Sequence, residues 1–406
     1  MIFKKRNFID NKEIFAVKKV LQSGILSKYL GEPGKLFNGG PKVKLFEKKI
    51  QKYFKVNHAL VVNSWTSGLI CAVGALDIEP GDEIIVPPWT MSACITSILF
   101  WNAIPIFADI EKDYYTISPS EIEKKITKKT KAIISVDIFG QSADMEKINK
   151  IAKKYKLKVI SDTAQAIGSK YNGKFSGTLA DIGGFSLNYH KHIHTGEGGI
   201  LVTNNKKYAD KMRLIRNHGE SVIKKTANKK DLINSFGFNF RMGEIEAAIG
   251  IEQLKKLKKI LNKNIETANL FKKEFSQLKG LSIPKIRNKA THVYYIYPML
   301  IDQKKCKFSK YELQNFLEKE GIYIGVDYVN LHLLPMFKHK IAYGKKNFPW
   351  SLSNRKLIYK EGICPIAESY KKKNFICFSM CEYDYSKKNI KLIAKKIKEF
   401  WKKNSN

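Results

Sequence analysis

The stretch Leu157-Lys158-Val159-Ile160-Ser161-Asp162-Thr163-Ala164-Gln165 decides the reading of the fold. Its first five residues form a short β-rich run, and an acid stands at the tip of that run. Ahead of it lies an amphipathic helix, Asp144–Tyr155, with Met145, Ile148, Ile151 and Ala152 on one side. A helix feeding a short strand is the repeat unit of a sheet wrapped by helices. In such folds the sites cluster at the carboxyl ends of strands, which is where Asp162 stands.

The same alternation extends in both directions, from about His58 to Asn204. Strands are expected at His58–Val62, Glu83–Val86, Ile104–Ala108, Ala132–Ile138, Ile182–Leu187 and Gly199–Val202. With Leu157–Ser161 they make seven. An apolar helix, Thr66–Leu76, and the turn Glu79-Pro80-Gly81-Asp82 join the first two. Apolar strands alternating with helices predict an α/β architecture with a mostly parallel sheet covered on both faces. Past Arg241 the pattern changes. Glu244–Leu261 reads as one helix, with Ile251, Leu254, Leu257 and Leu261 at three- and four-residue steps. A strand-like Val293–Leu300, a helix Lys310–Glu320 and a closing helix after Ser386 follow. The expected division is a large domain over 1–250 and a smaller C-terminal α/β domain over 251–406, with no repeat and no low-complexity linker.

A chain of 406 residues can bury a sizeable core in two domains. The formal charge of +36 invites a nucleic-acid or membrane reading. Against it, nearly all the basic residues are lysines. The arginines are Arg6, Arg213, Arg216, Arg241, Arg287 and Arg355, and arginine is the residue that reads phosphates and bases bidentately. The lysines are spread over helix surfaces, as at Lys255-Lys256 and Lys258-Lys259. Compositional bias toward Lys, Ile, Asn and Phe accounts for them, with attraction of an anionic, phosphate-bearing substrate as a secondary role. No nucleic-acid partner is expected. The most apolar region, Ala93–Ala108, is broken by Thr96, Ser97, Asn102 and Pro105, so no membrane span is expected. Met1–Asp10 has no apolar core of a secretory signal, and six scattered cysteines lack metal-ligand spacing. Reduced thiols, no metal and a cytoplasmic location are the expectations.

An acid at the end of a buried strand is costly unless something positive or protonated meets it. A pyridinium nitrogen is such a partner, and Gln165 could then donate to a ring oxygen; on those residues alone a helix N-cap is the better reading of Asp162. The next segment adds context: Ser186-Leu187-Asn188-Tyr189-His190-Lys191, then Thr195-Gly196-Glu197-Gly198-Gly199. A lysine just past a strand, followed by a glycine-rich turn into another strand, suits a Schiff-base lysine on a tight connection. In so lysine-rich a chain, only the context distinguishes it from surface decoration.

These segments carry a resemblance. With Asn63-Ser64-Trp65-Thr66-Ser67-Gly68-Leu69, Pro80-Gly81-Asp82-Glu83, Arg216-Asn217-His218-Gly219, Phe238-Asn239-Phe240-Arg241 and Leu331-His332-Leu333, the chain resembles the DegT/DnrJ/EryC1/StrS sugar aminotransferases from about Gly39 to the C-terminal helix. The resemblance implies the fold-type-I architecture and pyridoxal 5'-phosphate, alternating with pyridoxamine 5'-phosphate. It makes Lys191 the cofactor-bearing, proton-shuttling lysine, Asp162 the partner of the ring nitrogen and Gln165 the ligand of the ring hydroxyl. Thr66, Ser67 and Ser186 match the phosphate-binding hydroxyls, and helix amides near Thr66 favour an anion. Asn239 matches an asparagine that reaches the neighbouring subunit's cofactor, which implies a homodimer with shared sites. His332 falls in a segment placed near substrate.

The implied activity moves an amino group from L-glutamate to a keto-sugar nucleotide in amino-sugar and surface-polysaccharide biosynthesis. Relatives that aminate cyclitol ketones from glutamine, or that dehydrate sugars with histidine in place of the lysine, are the alternatives; His190 and His192 flank Lys191. A non-catalytic regulator would be expected to lack Lys191 or Asp162. The chain departs from the family at Trp65, where glycine is frequent, at Met91, where an aromatic usually stacks on the cofactor, and at Tyr189, where proline is frequent. Met91, Trp89 or Trp65 is then the ring platform. Substrate pockets in the family include the segment 220–235.

Overall fold

The computed structural model describes residues 3–32, 34–219 and 233–404. Most of the loop expected to line the substrate pocket, 220–232, lies outside the described residues. The seven expected strands are present: β1 His58–Val62, β2 Glu83–Val86, β3 Ile104–Phe107, β4 Thr130–Val136, β5 Lys158–Asp162, β6 Ile182–Ser186 and β7 Gly199–Thr203. They form one sheet in the order β1-β7-β6-β5-β4-β2-β3. All neighbours are parallel except β7, which runs antiparallel to both β1 and β6.

The strands are buried on both faces, so their side chains divide between two apolar layers. Leu60 and Val62 enter one layer with helices α3 (Trp65–Gly74), α4 (Ala93–Phe100), α6 (Met145–Tyr155) and α7 (Lys206–Arg216). Ala59 and Val61 enter the other, built by α2 (Pro41–Phe54) and the first half of α8 (Glu244–Phe275). This period-two alternation is what a two-faced strand requires. Helices α1 (Asn11–Ser23) and α5 (Pro119–Lys125) complete this part.

The smaller unit has an antiparallel sheet of β8 Leu281–Ser282, β9 Ile296–Ile301 and β10 Phe375–Ser379, packed by α9 (Lys310–Lys319) and α10 (Lys387–Asn404). The end of α8 joins its core through Ala268, Phe271 and Phe275. The expected division at residue 250 therefore falls inside an unbroken helix, whose buried side chains change core between Leu261 and Ala268. The N-terminus also crosses over: Phe3 is buried in the smaller core, and Lys4–Lys5 pairs with Tyr383–Asp384. In the opposite direction Leu331, Phe337, Trp350, Tyr359 and Ala367 pack on the large core.

Among the described residues no helix is long and apolar enough to cross a membrane, and no group of His, Cys, Asp and Glu could hold a metal ion.

Candidate active site

Strand register assembles the site. Ser186 at the end of β6 pairs with Gly199, and Gly199 pairs with Val62 at the end of β1. Gly199 lies so close to the next turn that a Cβ there would sit 2.7 Å from the Ser64 carbonyl carbon. Ser64 caps α3: its hydroxyl accepts from the Ser67 amide at 3.0 Å. The first-turn amides of a helix lack intrahelical acceptors, so the half-buried Thr66, the buried Ser67 and the buried Ser186 surround a natural anion seat. The Ser67 hydroxyl is within 2.7 Å of Asn63 Oδ1, and Ser186 Oγ accepts from the Asn188 amide at 3.3 Å.

Asp162 ends β5 with 3% of its surface exposed. Its Oδ1 accepts from Trp65 Nε1 at 2.8 Å and from the Ala164 amide at 3.0 Å, and its Oδ2 accepts from the Cys94 thiol at 3.0 Å. All three donors are neutral, and among the described residues no lysine or arginine forms an ion pair with it. Below it, Asp137 is wholly buried and accepts from Thr163, Ser161 and the Ala143 amide; burial pushes its pKa up to about 6.

Lys191 sits on the tight connection from β6 to β7. Leu187 N donates to Gly198 O, Thr195 N to Leu187 O and Lys191 N to Asn188 O, while Gly196 takes a positive φ of 87° that a glycine adopts without strain. The amine lies 4.6 Å from the centroid of the Tyr295 ring. Burial lowers its pKa to about 8, against the opposing pull of the Asp162 charge. Among the described residues Nζ has no hydrogen bond and no ion pair. The flanking histidines do not compete for this place. His192 is buried with Nε2 on the Val293 carbonyl at 3.0 Å, and His190 packs near Tyr295, with its pKa lowered by burial to about 4.

The remaining expected residues fall differently. Gln165 is engaged at both ends, accepting from the Phe139 amide at 2.8 Å and donating to the Tyr328 hydroxyl at 3.1 Å. Asn239 is exposed; its carbonyl accepts from Asn63 Nδ2 at 3.4 Å and its Oδ1 from Arg241 at 2.7 Å. Met91 is 67% exposed. Trp89 is fully buried, its Nε1 donates to Asn330, and Tyr115, Phe139, Tyr328, Tyr370 and Phe375 surround it. His332 is also fully buried, with Nε2 on Glu368 at 2.8 Å and its ring against Phe107. Tyr295, Cys94 and Tyr328 touch the expected site residues and no sequence motif marks them; Trp65, a platform candidate in the sequence, instead bonds Asp162 through its indole nitrogen.

The residues fit pyridoxal phosphate. A buried carboxylate with only neutral donors suits a pyridinium, a desolvated amine that makes no ion pair or hydrogen bond among the described residues suits a Schiff base, and the start of α3 suits a phosphate. The fold and these groups define an aminotransferase of fold type I, as its solved structural neighbours bear out. More narrowly, residues 9–365 match the DegT/DnrJ/EryC1/StrS aminotransferase family, and the chain belongs to it. It is 36% identical to the GDP-perosamine synthase of Escherichia coli O157:H7, over 79% of this chain and 88% of that one. It is 33% identical to the spore coat polysaccharide biosynthesis protein SpsC of Bacillus subtilis, over 84% and 86%. The structure of Helicobacter pylori PseC, an aminotransferase involved in the biosynthesis of pseudoaminic acid, superposes with a TM-score of 0.80 at 28% identity, covering 99% of each chain.

Proposed function

We propose that this protein is a pyridoxal-phosphate-dependent aminotransferase that carries an amino group from L-glutamate to a keto-sugar nucleotide in amino-sugar biosynthesis. The observation that carries the reading is the Lys191 amine, desolvated, free of ion pairs and hydrogen bonds among the described residues, and held over Tyr295 on the tight β6–β7 connection. Relatives named for perosamine synthesis and for polysaccharide biosynthesis support the sugar.

Asp162 would hold the ring nitrogen, Gln165 the ring hydroxyl, and Thr66, Ser67 and Ser186 the phosphate. When bound, the cofactor supplies an electron sink for charge developing at the substrate carbon. Neutral Lys191 takes the proton from the α-carbon of the amino donor and returns one to the carbon that receives the amino group. Asp162 would pair with the ring nitrogen, and Tyr295 covers the amine. The same residues serve both half-reactions.

The test is the absorbance of the purified protein with pyridoxal phosphate before and after L-glutamate, beside Lys191→Ala. The expected result is a visible band that glutamate converts to the pyridoxamine form in the wild type alone. A wild type that takes up no cofactor overturns the reading; one that binds cofactor and ignores every amino donor overturns aminotransfer.

A further inference from the structure

Trp65 stands at a junction the mechanism above does not use. Its backbone belongs to the first turn of α3, between Ser64 and Thr66, where the phosphate seat is. Its indole reaches across to the strand ends and donates Nε1–H to Asp162 Oδ1 at 2.8 Å, the oxygen that also accepts from the Ala164 amide at 3.0 Å. The side chain is only 5% exposed. Two glycines make room for it: a Cβ on Gly184 would fall 2.1 Å from the indole Cζ3, and one on Gly68 would fall 2.7 Å from Cε3. Gly184 is the register partner of Asp162 on the neighbouring strand, so the ring lies over the sheet directly beside the carboxylate. Cys94 holds the other oxygen at 3.0 Å and is itself in contact with Thr90 at 3.1 Å.

We propose that Trp65 is a positioning residue: its indole N–H, with the Cys94 thiol on the opposite oxygen, orients the Asp162 carboxylate for pyridoxal phosphate and ties it to the turn that seats the phosphate. This rests on the cofactor reading given above. The physical reason is geometric. A carboxylate on a short side chain turns freely about its last bond unless both oxygens are held, and a rotated carboxylate meets a ring nitrogen poorly. One rigid aromatic residue that is part of the α3 turn and bonded to Asp162 fixes the distance between the two ends of the cofactor site.

The experiment is calorimetric titration of the cofactor-free full-length protein with pyridoxal 5'-phosphate. Four proteins are compared: wild type, Trp65→Phe, Asp162→Ala and the double variant. Phenylalanine keeps an aromatic ring over Gly184 and removes the N–H. Trp65→Phe is expected to weaken binding roughly tenfold, the scale of a hydrogen bond to a buried charge. In the Asp162→Ala background the same change should add little, because the residue acts through that carboxylate. Unchanged binding by Trp65→Phe, or a full tenfold loss in both backgrounds, overturns the proposal and leaves Trp65 as packing. Cys94→Ala against Cys94→Ser gives a second reading should Trp65→Phe fold poorly: a several-fold loss that serine restores supports the held carboxylate, and no loss sinks it. A wild type that binds no cofactor would take the underlying functional reading down as well.

Discussion

At the residue scale, the cost of desolvating Lys191 is the source of its reactivity. An ordinary lysine at pH 7 has fewer than about one amine in a thousand uncharged; with a pKa near 8 the fraction is about one in ten. Burial favours the neutral form, so the competent population falls as pH drops below about 8 and saturates above it. Stopped-flow capture of pyridoxal phosphate by the cofactor-free protein should accelerate close to tenfold between pH 6.5 and 7.5 and level off beyond pH 8.5. A flat profile over that range would mean the amine is solvated. The motifs around Lys191 and Asp162 were legible in the sequence because strand ends and glycine turns leave local signatures. Trp65, Cys94 and Tyr295 were not, because their roles exist only through contacts made across the fold. The Trp65 and Cys94 donors lie 97 and 68 residues from the carboxylate they hold. His332 shows the converse. Its motif was legible, while its contact with Glu368, 36 residues further on, was not.

At the scale of elements, one helix caps another. Gly40 precedes α2 and offers no side chain to the free amides there, and Glu244, the first residue of α8, supplies the carboxylate instead. Its Oε2 accepts from Lys42 N at 2.7 Å and its Oε1 from Val43 N at 3.1 Å. A buried anion at a helix N-terminus is favourable for both the hydrogen bonds and the dipole. Glu244→Ala is expected to lower stability by about 2 kcal/mol in urea unfolding; Glu244→Gln, which keeps an acceptor, should lose less. Equal losses would mean the packing around Gly40 matters and the cap does not. The seven strands of the large sheet were legible to within two residues at each end, since each is a short apolar run, whereas the smaller sheet was legible only at Ile296–Ile301, expected from Val293. The end of α8 was not. Its periodic stripe stops at Leu261 because Asn264, a polar residue, occupies a wholly buried position, where its amide donates to the carbonyls of Val293 and Tyr294. A pattern of apolar residues cannot register a buried asparagine satisfied by a distant loop.

At the scale of the whole molecule, the N-terminal region leaves apolar side chains uncovered: Ile14, Phe15 and Leu21 on α1, then Leu26 and Leu30. Such a run fits a surface buried against a second copy of the chain. If Asn239 serves the neighbouring subunit's cofactor, Lys191→Ala and Asn239→Ala should each be weak or inactive alone. Co-expressed, they should recover roughly a quarter of wild-type activity, since half the dimers then hold one intact site. No recovery, or a monomer in sedimentation, would rule out shared sites. The uninterrupted α8 bears on how such a molecule moves. At 32 residues it is about 48 Å long and is rooted in both cores. The two lobes are thus joined by a strut and not by a hinge. A continuous helix resists sharp bending because a kink breaks its backbone hydrogen-bond ladder, so small-angle scattering with and without cofactor is expected to show the two cores moving as one body.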